Sequence, residues 1–392
     1  MAQTFLKSKN GKKIIKNAVF FLLLFAALLV ADMTLPSYSM LISVLKKGTV
    51  YAILTVSMNL LNGFTGLFSL GQAGFMLLGG YTYAIFTIPV SSRASVYYMC
   101  DGGLVKFSLP WIAGLILAGV VAGLFAFLIG LPVLKLKSDY LAIATLGFAE
   151  IVRALTQWTG LEKLTNGSIS LRAYPYFKRL YPYVIIVALL ILAVVLLIRS
   201  TYGRAMKAIR DDEIAAEAMG INLSKHKTIS FIVSSSLAGV GGALLAMYQT
   251  SLVASQFSSA LTYEILLIVV IGGIGSVTGS VLASFLYIGC SEWWLRGLDS
   301  GTFLGITLPS VFRSGFRLVV FSVVIMIIVL FFRRGIMGER ELDVDGILRF
   351  FAKTLPDFFV RKIPHFVTKS IPAFFKVTLP RLFRRGAGKA GK

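Results

Sequence analysis

Residues 109–133 read LPWIAGLILAGVVAGLFAFLIGLPV, twenty-five positions without a charge. A helix needs about 20 mostly apolar residues to cross a hydrocarbon core of about 30 Å. In lipid only helices and closed barrels satisfy their own backbone hydrogen bonds, so this stretch reads as a transmembrane helix. Working outward, similar apolar runs lie upstream at 18–31, 48–61 and 69–88, and downstream at 140–158, 182–198, 229–247, 263–274, 277–290 and 316–332. Together they make ten candidate spans. The whole 392-residue chain is 57% apolar and 14% charged, against about 25% charged in a soluble domain. These observations predict an all-α polytopic membrane protein, a bundle of about 8–10 transmembrane helices with short or re-entrant glycine-rich segments.

The net charge of +22 would suggest nucleic acid in a soluble protein. Here its distribution matters more. With the N-terminus in the cytoplasm, the positive-inside rule collects residues 1–16, Lys135 with Lys137, residues 199–227 and everything beyond Phe332 on that side. Those groups hold 5, 2, 6 and 14 Lys/Arg, 27 of the 39 in the chain. Orientation and contact with anionic lipid therefore explain the charge, and no nucleic acid is needed. Lys46 and Lys47 fall on the opposite side and oppose this count. The organisation expected is a basic cytoplasmic N-terminus at 1–16, a transmembrane domain at 17–332 with a cytoplasmic segment at 200–227, and a basic Pro/Phe-rich cytoplasmic tail at 333–392. The basic start followed by 18–31 also resembles a signal peptide, but no small-x-small site precedes Asp32, so it is read as a retained helix.

Chemistry has little to work with. Two cysteines, Cys100 and Cys290, make no disulfide framework, and His226 and His365 make no Cys/His cluster for a metal. No catalytic residue is assigned. A phosphate-loop spacing, Gly386 through Gly391 and Lys392, lacks the following Ser/Thr and the helix that the motif requires, so it is not read as a nucleotide site.

The runs at 263–274 and 277–290 are short and flank Gly272, Gly273, Gly275 and Gly279, a length typical of re-entrant segments. Small residues four apart, Gly119 with Gly123 and Ala238 with Gly242, are suited to close helix packing.

The most informative polar stretch is 200–227. Arg204, Lys207 and Arg210 are three apart on one helical face, suited to lipid phosphates or an acidic partner. Asp211 or Asp212 can cap a short new helix, Glu213 suits its first turn, and Gly220 can end it in the left-handed conformation. Ile214, Ala215, Ala218 and Met219 form an apolar stripe, to rest on the chain's own bundle or on a soluble partner. The run from Gly203 to Ile221, GRAMKAIRDDEIAAEAMGI, resembles the coupling segment of ABC-importer permeases of the branched-chain amino-acid type. Three further stretches support the resemblance: 59–75, with its glycines and Gln72; 136–153, LKSDYLAIATLGFAEIVR; and Glu264 with Gly272 to Ser276. The stretch 164–169, LTNGSI, departs from the family's Thr-Gly-Gly loop, and 89–110 and the tail have no counterpart.

The resemblance implies half of the translocation pathway of an ATP-driven importer for branched-chain amino acids or a related small polar solute, in a bacterial inner membrane with both termini cytoplasmic. It implies a second homologous permease subunit, two ATPase subunits that hold the ATP and magnesium, and an external solute-binding protein. The chain itself carries no cofactor. The implied ATPase-coupling positions are Arg210, Asp212, Glu213, Ala215, Ala216, Glu217 and Gly220. Polar residues within the spans, Asn59, Asn62, Ser69, Gln72, Thr145 and Glu150, are read as lining a polar route, or else as structural pairs and caps. Related permeases for urea, short amides or nucleosides are alternatives. A rival class is an ion-coupled transporter using Glu150, Asp139 or Glu264. In the tail, Pro356, Pro364, Pro372 and Pro380 recur every eight residues among Phe, Lys and Arg, which fits an anionic lipid surface or disorder.

Overall fold

The computed structural model describes residues 32–34, 36, 39–99, 102–136, 138–294, 302–303, 306–307, 326 and 335–338. All lie within the unit Phe25–Glu341. The expected N-terminal segment, the runs 18–31 and 316–332 apart from Met326, and the tail beyond 338 are outside the described residues, as are the side chains of Ser138 and Asp139.

The elements are helical almost throughout. α1, Met40–Asn59, starts at Ser39, whose side chain accepts from the Ile42 amide, and continues into a π-helical turn at Leu60–Phe64. α2, Gln72–Thr87, stops just before Pro89, which opens a sharp bend of 118° into α3, Val90–Val96. α4 is Trp111–Val133, entered through Pro110, and α5 is Ser138–Gln157. α6, Tyr181–Arg199, has Pro182 in its first turn, where no amide is missed. The polar segment forms α7, Thr201–Asp211, and α8, Glu213–Ala218. α9, Leu223–Gln249, is capped by Asn222, and α10, Ser259–Gly272, and α11, Val277–Ile288, follow. Among the described residues the strands amount to one two-residue ladder, Thr302–Phe303 with Ile306–Thr307.

Eight of the ten expected runs fall on described residues. Five helices are long and apolar enough to cross a membrane, or six if α2 and the bent α3 form one broken span. Two of the ten expected runs lie outside the described residues. α5 is long enough, with 20 residues, but carries an ion pair. α11, at 12 residues, rises only about 18 Å. α10 qualifies only together with the turn before it, as Ala254–Gly272.

α10 and α11 form an antiparallel hairpin. At its tip, a side chain on Gly272 would meet the backbone of Gly279 and Ser280. Eight residues away on each arm, Glu264 hydrogen bonds to Tyr287. The residues 335–338 dock on the tip, with the amides of Ile336 and Met337 donating to the carbonyls of Ile271 and Gly272 at 2.8 and 3.2 Å. The glycine-rich re-entrant segment expected from the sequence is thus one tight hairpin.

α9 lies at the centre, against α1, α2 and α4. Lipid-like surroundings offer no hydrophobic drive between helices, so contact depends on close packing of small residues. Gly242 faces the backbone of Met76 and Gly79 faces the backbone of Gly239, with no room for a Cβ at either. Gly119 and Gly123 of α4 meet Val240 and Ser236 of α9. α4 is apolar all round and is sorted by size: Gly114, Ala118, Ala122 and Ala126 are buried, while Ile112, Ile116, Leu124 and Leu128 are exposed.

The two lysines that opposed the charge count are used within the protein. Lys46 is buried and donates to the carbonyl of Lys178. Lys47 pairs with Glu292 at 2.6 Å.

Candidate functional site: the coupling segment and the polar seam above it

The stretch between α6 and α9 is a helix, a cap, a second short helix and a glycine stop. Met206 and Ile209 bury the inner face of α7, and Gly203 lies against the backbone of Ile198. Asp212, and not Asp211, is the N-cap of α8: its carboxylate accepts from the amides of Ile214 and Ala215 at 2.9 and 3.0 Å. Gly220 ends α8 with φ +82°. The Ile221 amide donates to Ala216 O at 3.1 Å and the Gly220 amide to Glu217 O at 2.9 Å. This pair of bonds is the Schellman closure that a left-handed glycine permits. α8 covers six residues, with the cap and the closing glycine lying outside it.

Within α8 the sequence reading divides. Ala216 is buried, and Glu213 pairs with Lys227 at the start of α9. Ala215, Glu217 and Ala218 are exposed, and Ile214 and Met219 are 82% and 83% exposed. The apolar stripe therefore does not rest on the chain's own bundle. A six-residue helix is too short to be stable by itself, and the cap, the glycine closure and the Glu213–Lys227 pair hold it in place. Asp212→Ala should remove about 1 kcal/mol from this local structure. Amide exchange across 213–218 should accelerate while the rest of the chain keeps its protection.

Arg204, Lys207 and Arg210 do not form one outward face. Arg210 turns inward, donating to Gly63 O at 3.2 Å and to Asp211 Oδ1 at 3.0 and 3.1 Å. The Lys207 ammonium lies 5.5 Å from the centre of the Phe64 ring. Arg204 is exposed.

The six polar residues within the spans are all engaged. Asn59 is fully buried and binds the hairpin tip: its amide donates to Gly273 O, Ser276 O and Ser280 Oγ at 3.3, 2.9 and 2.7 Å, and its oxygen accepts from Gly275 N at 2.9 Å. Asn62 closes the loop after the π turn through both backbone groups of Ser69. The Ser69 hydroxyl accepts from Gly71 N, and Gln72 donates to Ser57 Oγ at 2.5 Å. Thr145 accepts from Leu70 N at 3.0 Å, tying α5 to that loop. Glu150 stands apart, held by Arg153 at 2.8 Å on the half-exposed side of α5. The structure thus gathers Asn62, Ser69 and Thr145 around the loop at 69–71, with Gln72 at its end reaching Ser57, while Asn59 in α1 faces the hairpin tip and Glu150 stands apart; these buried polar groups are called the seam below.

Sequence reading missed the serines and threonines that complete the seam. Ser234 donates to Ser57 O at 2.6 Å, Thr262 accepts from Ala73 N at 3.1 Å, and Ser230 meets Thr65 at 2.5 Å. Their signal was a hydroxyl inside an apolar run, which is weak by itself. The departing stretch 164–169 folds inward: Asn166 is buried with φ +62° and donates to Val96 O.

A model of the family described as branched-chain amino acid transport system, permease component, matches residues 40–332. The chain belongs to this family. It is a multi-pass membrane protein of a transport-permease family, and the segment 200–227 and the seam both lie inside the matched region. The high-affinity branched-chain amino acid permease LivM of Escherichia coli K12 is 32% identical over 271 residues, covering 61% of this chain and 60% of LivM. The chain thus spans about three fifths of that relative's length. A probable branched-chain amino acid permease LivM of Methanocaldococcus jannaschii is 25% identical, covering 61% of this chain and 76% of the relative. The guanosine ABC transporter permease NupP of Bacillus subtilis is 27% identical, covering 68% of this chain and 73% of the relative. No solved structure matches the chain.

Proposed function

We propose that this chain is one permease subunit of an ATP-driven ABC importer in a bacterial inner membrane, with both termini cytoplasmic. The observation that carries this reading is the exposed apolar stripe of α8, presented on a capped and glycine-closed helix between two spans. An ATPase subunit covers Ile214 and Met219, with Ala215, Glu217 and the backbone around Gly220 at the edge of the contact. Asp212, Glu213 and Ala216 hold α8 in position from within. Two such ATPases hold the ATP and magnesium, and this chain does no covalent chemistry. A second homologous permease completes the pathway, and an external binding protein delivers the solute.

The route for solute runs along the seam of Asn59, Asn62, Ser69, Gln72 and Thr145, with Glu150 at its side. A passing solute exchanges its hydrogen bonds for those the seam makes internally, so the groups are never left without partners. Branched-chain amino acids are the first substrate class, in line with the names of the LivM relatives; nucleosides are the second, in line with NupP. The basic tail contacts anionic lipid on the cytoplasmic side.

The test is gentle affinity purification of the tagged chain from its native membrane, with mass spectrometry of what remains bound. Two ATPases, a second permease and a binding protein are expected, and the binding protein can then be screened for ligand. Recovery of the chain alone, under conditions that preserve other membrane complexes, would overturn the importer and favour the ion-coupled class.

A further inference from the structure

We propose that Arg210 and Asn59 form a mechanical relay that carries movement of the coupling segment to the tip of the α10–α11 hairpin, making that hairpin the moving gate. The proposal rests on the importer reading above, in which α8 is the element an ATPase moves.

The relay has three contacts in series. The Arg210 guanidinium, at the end of α7, donates to Gly63 O in the π turn that closes α1. A cation is favoured at such a helix C-terminus, where carbonyls lack intrahelical partners. Gly63 in turn touches the hairpin tip: a Cβ there would lie 2.6 Å from the Gly275 amide. Asn59, one residue before the π turn, then grips the tip with its four bonds to Gly273, Gly275, Ser276 and Ser280. Arg210 also approaches the tip directly, since a Cβ on Gly275 would lie 3.0 Å from its Nη1.

The surrounding backbone is built for movement at these points. Gly66, Gly273 and Gly275 have φ of +76°, +116° and +88°. A π turn inside an α-helix is a local distortion often found at functional sites. On either side the elements are rigid: α1 is packed over its length, and α10 and α11 meet backbone to backbone at Gly272 and Gly279. A displacement of α7 therefore has two flexible glycine breaks to act on, and Asn59 makes the two move together. Arg210 and Asn59 are positioning residues in this account. The relay requires neither to touch the ATPase.

The experiment uses the full complex, purified with its ATPases, after replacement of Cys100 and Cys290. A single cysteine is placed at the tip by Ile274→Cys, a position 49% exposed. Its labelling rate with a water-soluble maleimide is compared with and without ATP and magnesium. The expected result is a nucleotide-dependent change of at least about fivefold, within the usual range of coupling between sites. Adding Arg210→Gln should bring that ratio to near one while the ATPases stay bound at unchanged stoichiometry. Arg210→Lys, which keeps the charge and a donor, should restore part of the response.

Ser280→Ala, which removes one mild contact of Asn59, should weaken the response and serves if Arg210→Gln does not accumulate. A tip that labels equally in both nucleotide states would overturn the relay, as would an unchanged ratio in Arg210→Gln. Loss of the ATPases from Arg210→Gln would overturn it too, by making Arg210 a docking residue. Absence of ATPases from the complex without Arg210→Gln would instead sink the importer reading itself.

Discussion

Gly242→Leu should sharply lower the stability and yield of the folded chain in the membrane. Gly242 lies where α9 meets the backbone of Met76 in α2, with no space for even a Cβ. A leucine would push α2 away and open the paired contact of Gly79 with Gly239 three residues along each helix. Overpacking of this kind costs on the order of 3 kcal/mol. Part of a typical domain's whole margin of about 5–15 kcal/mol disappears with it. Fluorescence-detected size exclusion in mild detergent should show loss of the monodisperse peak, and any remaining protein should melt at lower temperature. Gly242→Ala should shift the same way by less. Gly147→Ala, at a helical glycine with open space where its Cβ would be, should leave the profile unchanged.

The second large effect should come from the other end of the molecule without disturbing its fold. Ile214→Asp with Met219→Asp puts two charges on side chains that the chain itself leaves 82% and 83% exposed. Their replacement costs the isolated permease little. In the assembled importer both would be buried against an ATPase, where disrupting central contacts removes about 2–4 kcal/mol of binding. That corresponds to a roughly 30- to 700-fold loss of affinity. The double variant should therefore purify with a normal melting profile, without its ATPases, and uptake by cells should fall to background. Normal uptake would show that α8 is not the docking element.

The contrast between these two sites follows how much each revealed in the sequence. The segment between α6 and α9 was legible in outline: an acidic cap, a short apolar stripe and a glycine stop are local rules, which left Asp211 and Asp212 both open as the cap, and Asp212 and Gly220 obey them. Spans were legible where apolar length decided them, as in α4 and α6. At α5 length had to be weighed against Glu150 and Arg153, three positions apart on one helix, which pair with each other, and at α11 the short run read as re-entrant is one arm of a hairpin. The inward turn of Arg210 was hidden because its acceptor, Gly63 O, lies 147 positions away and is a backbone atom that carries no residue signature. The hydroxyl partners of the seam were hidden for the same reason. A serine in an apolar run satisfies a nearby carbonyl as readily as a distant amide, and only the fold selects which.

The size sorting of α4 also bears on how the protein is made. Because every face of Trp111–Val133 is apolar, the membrane-insertion machinery can pass this helix sideways into lipid with no information about which way it should face. Its rotation is fixed only by the shape of its neighbours. α2 is already present to receive Gly114 against Tyr83 and Thr87, but the groove for Gly119 and Gly123 is on α9, which is synthesised after α5, α6 and the coupling segment. Until then α4 can be seated only against α2, and its second close-packed face waits for Leu223–Gln249.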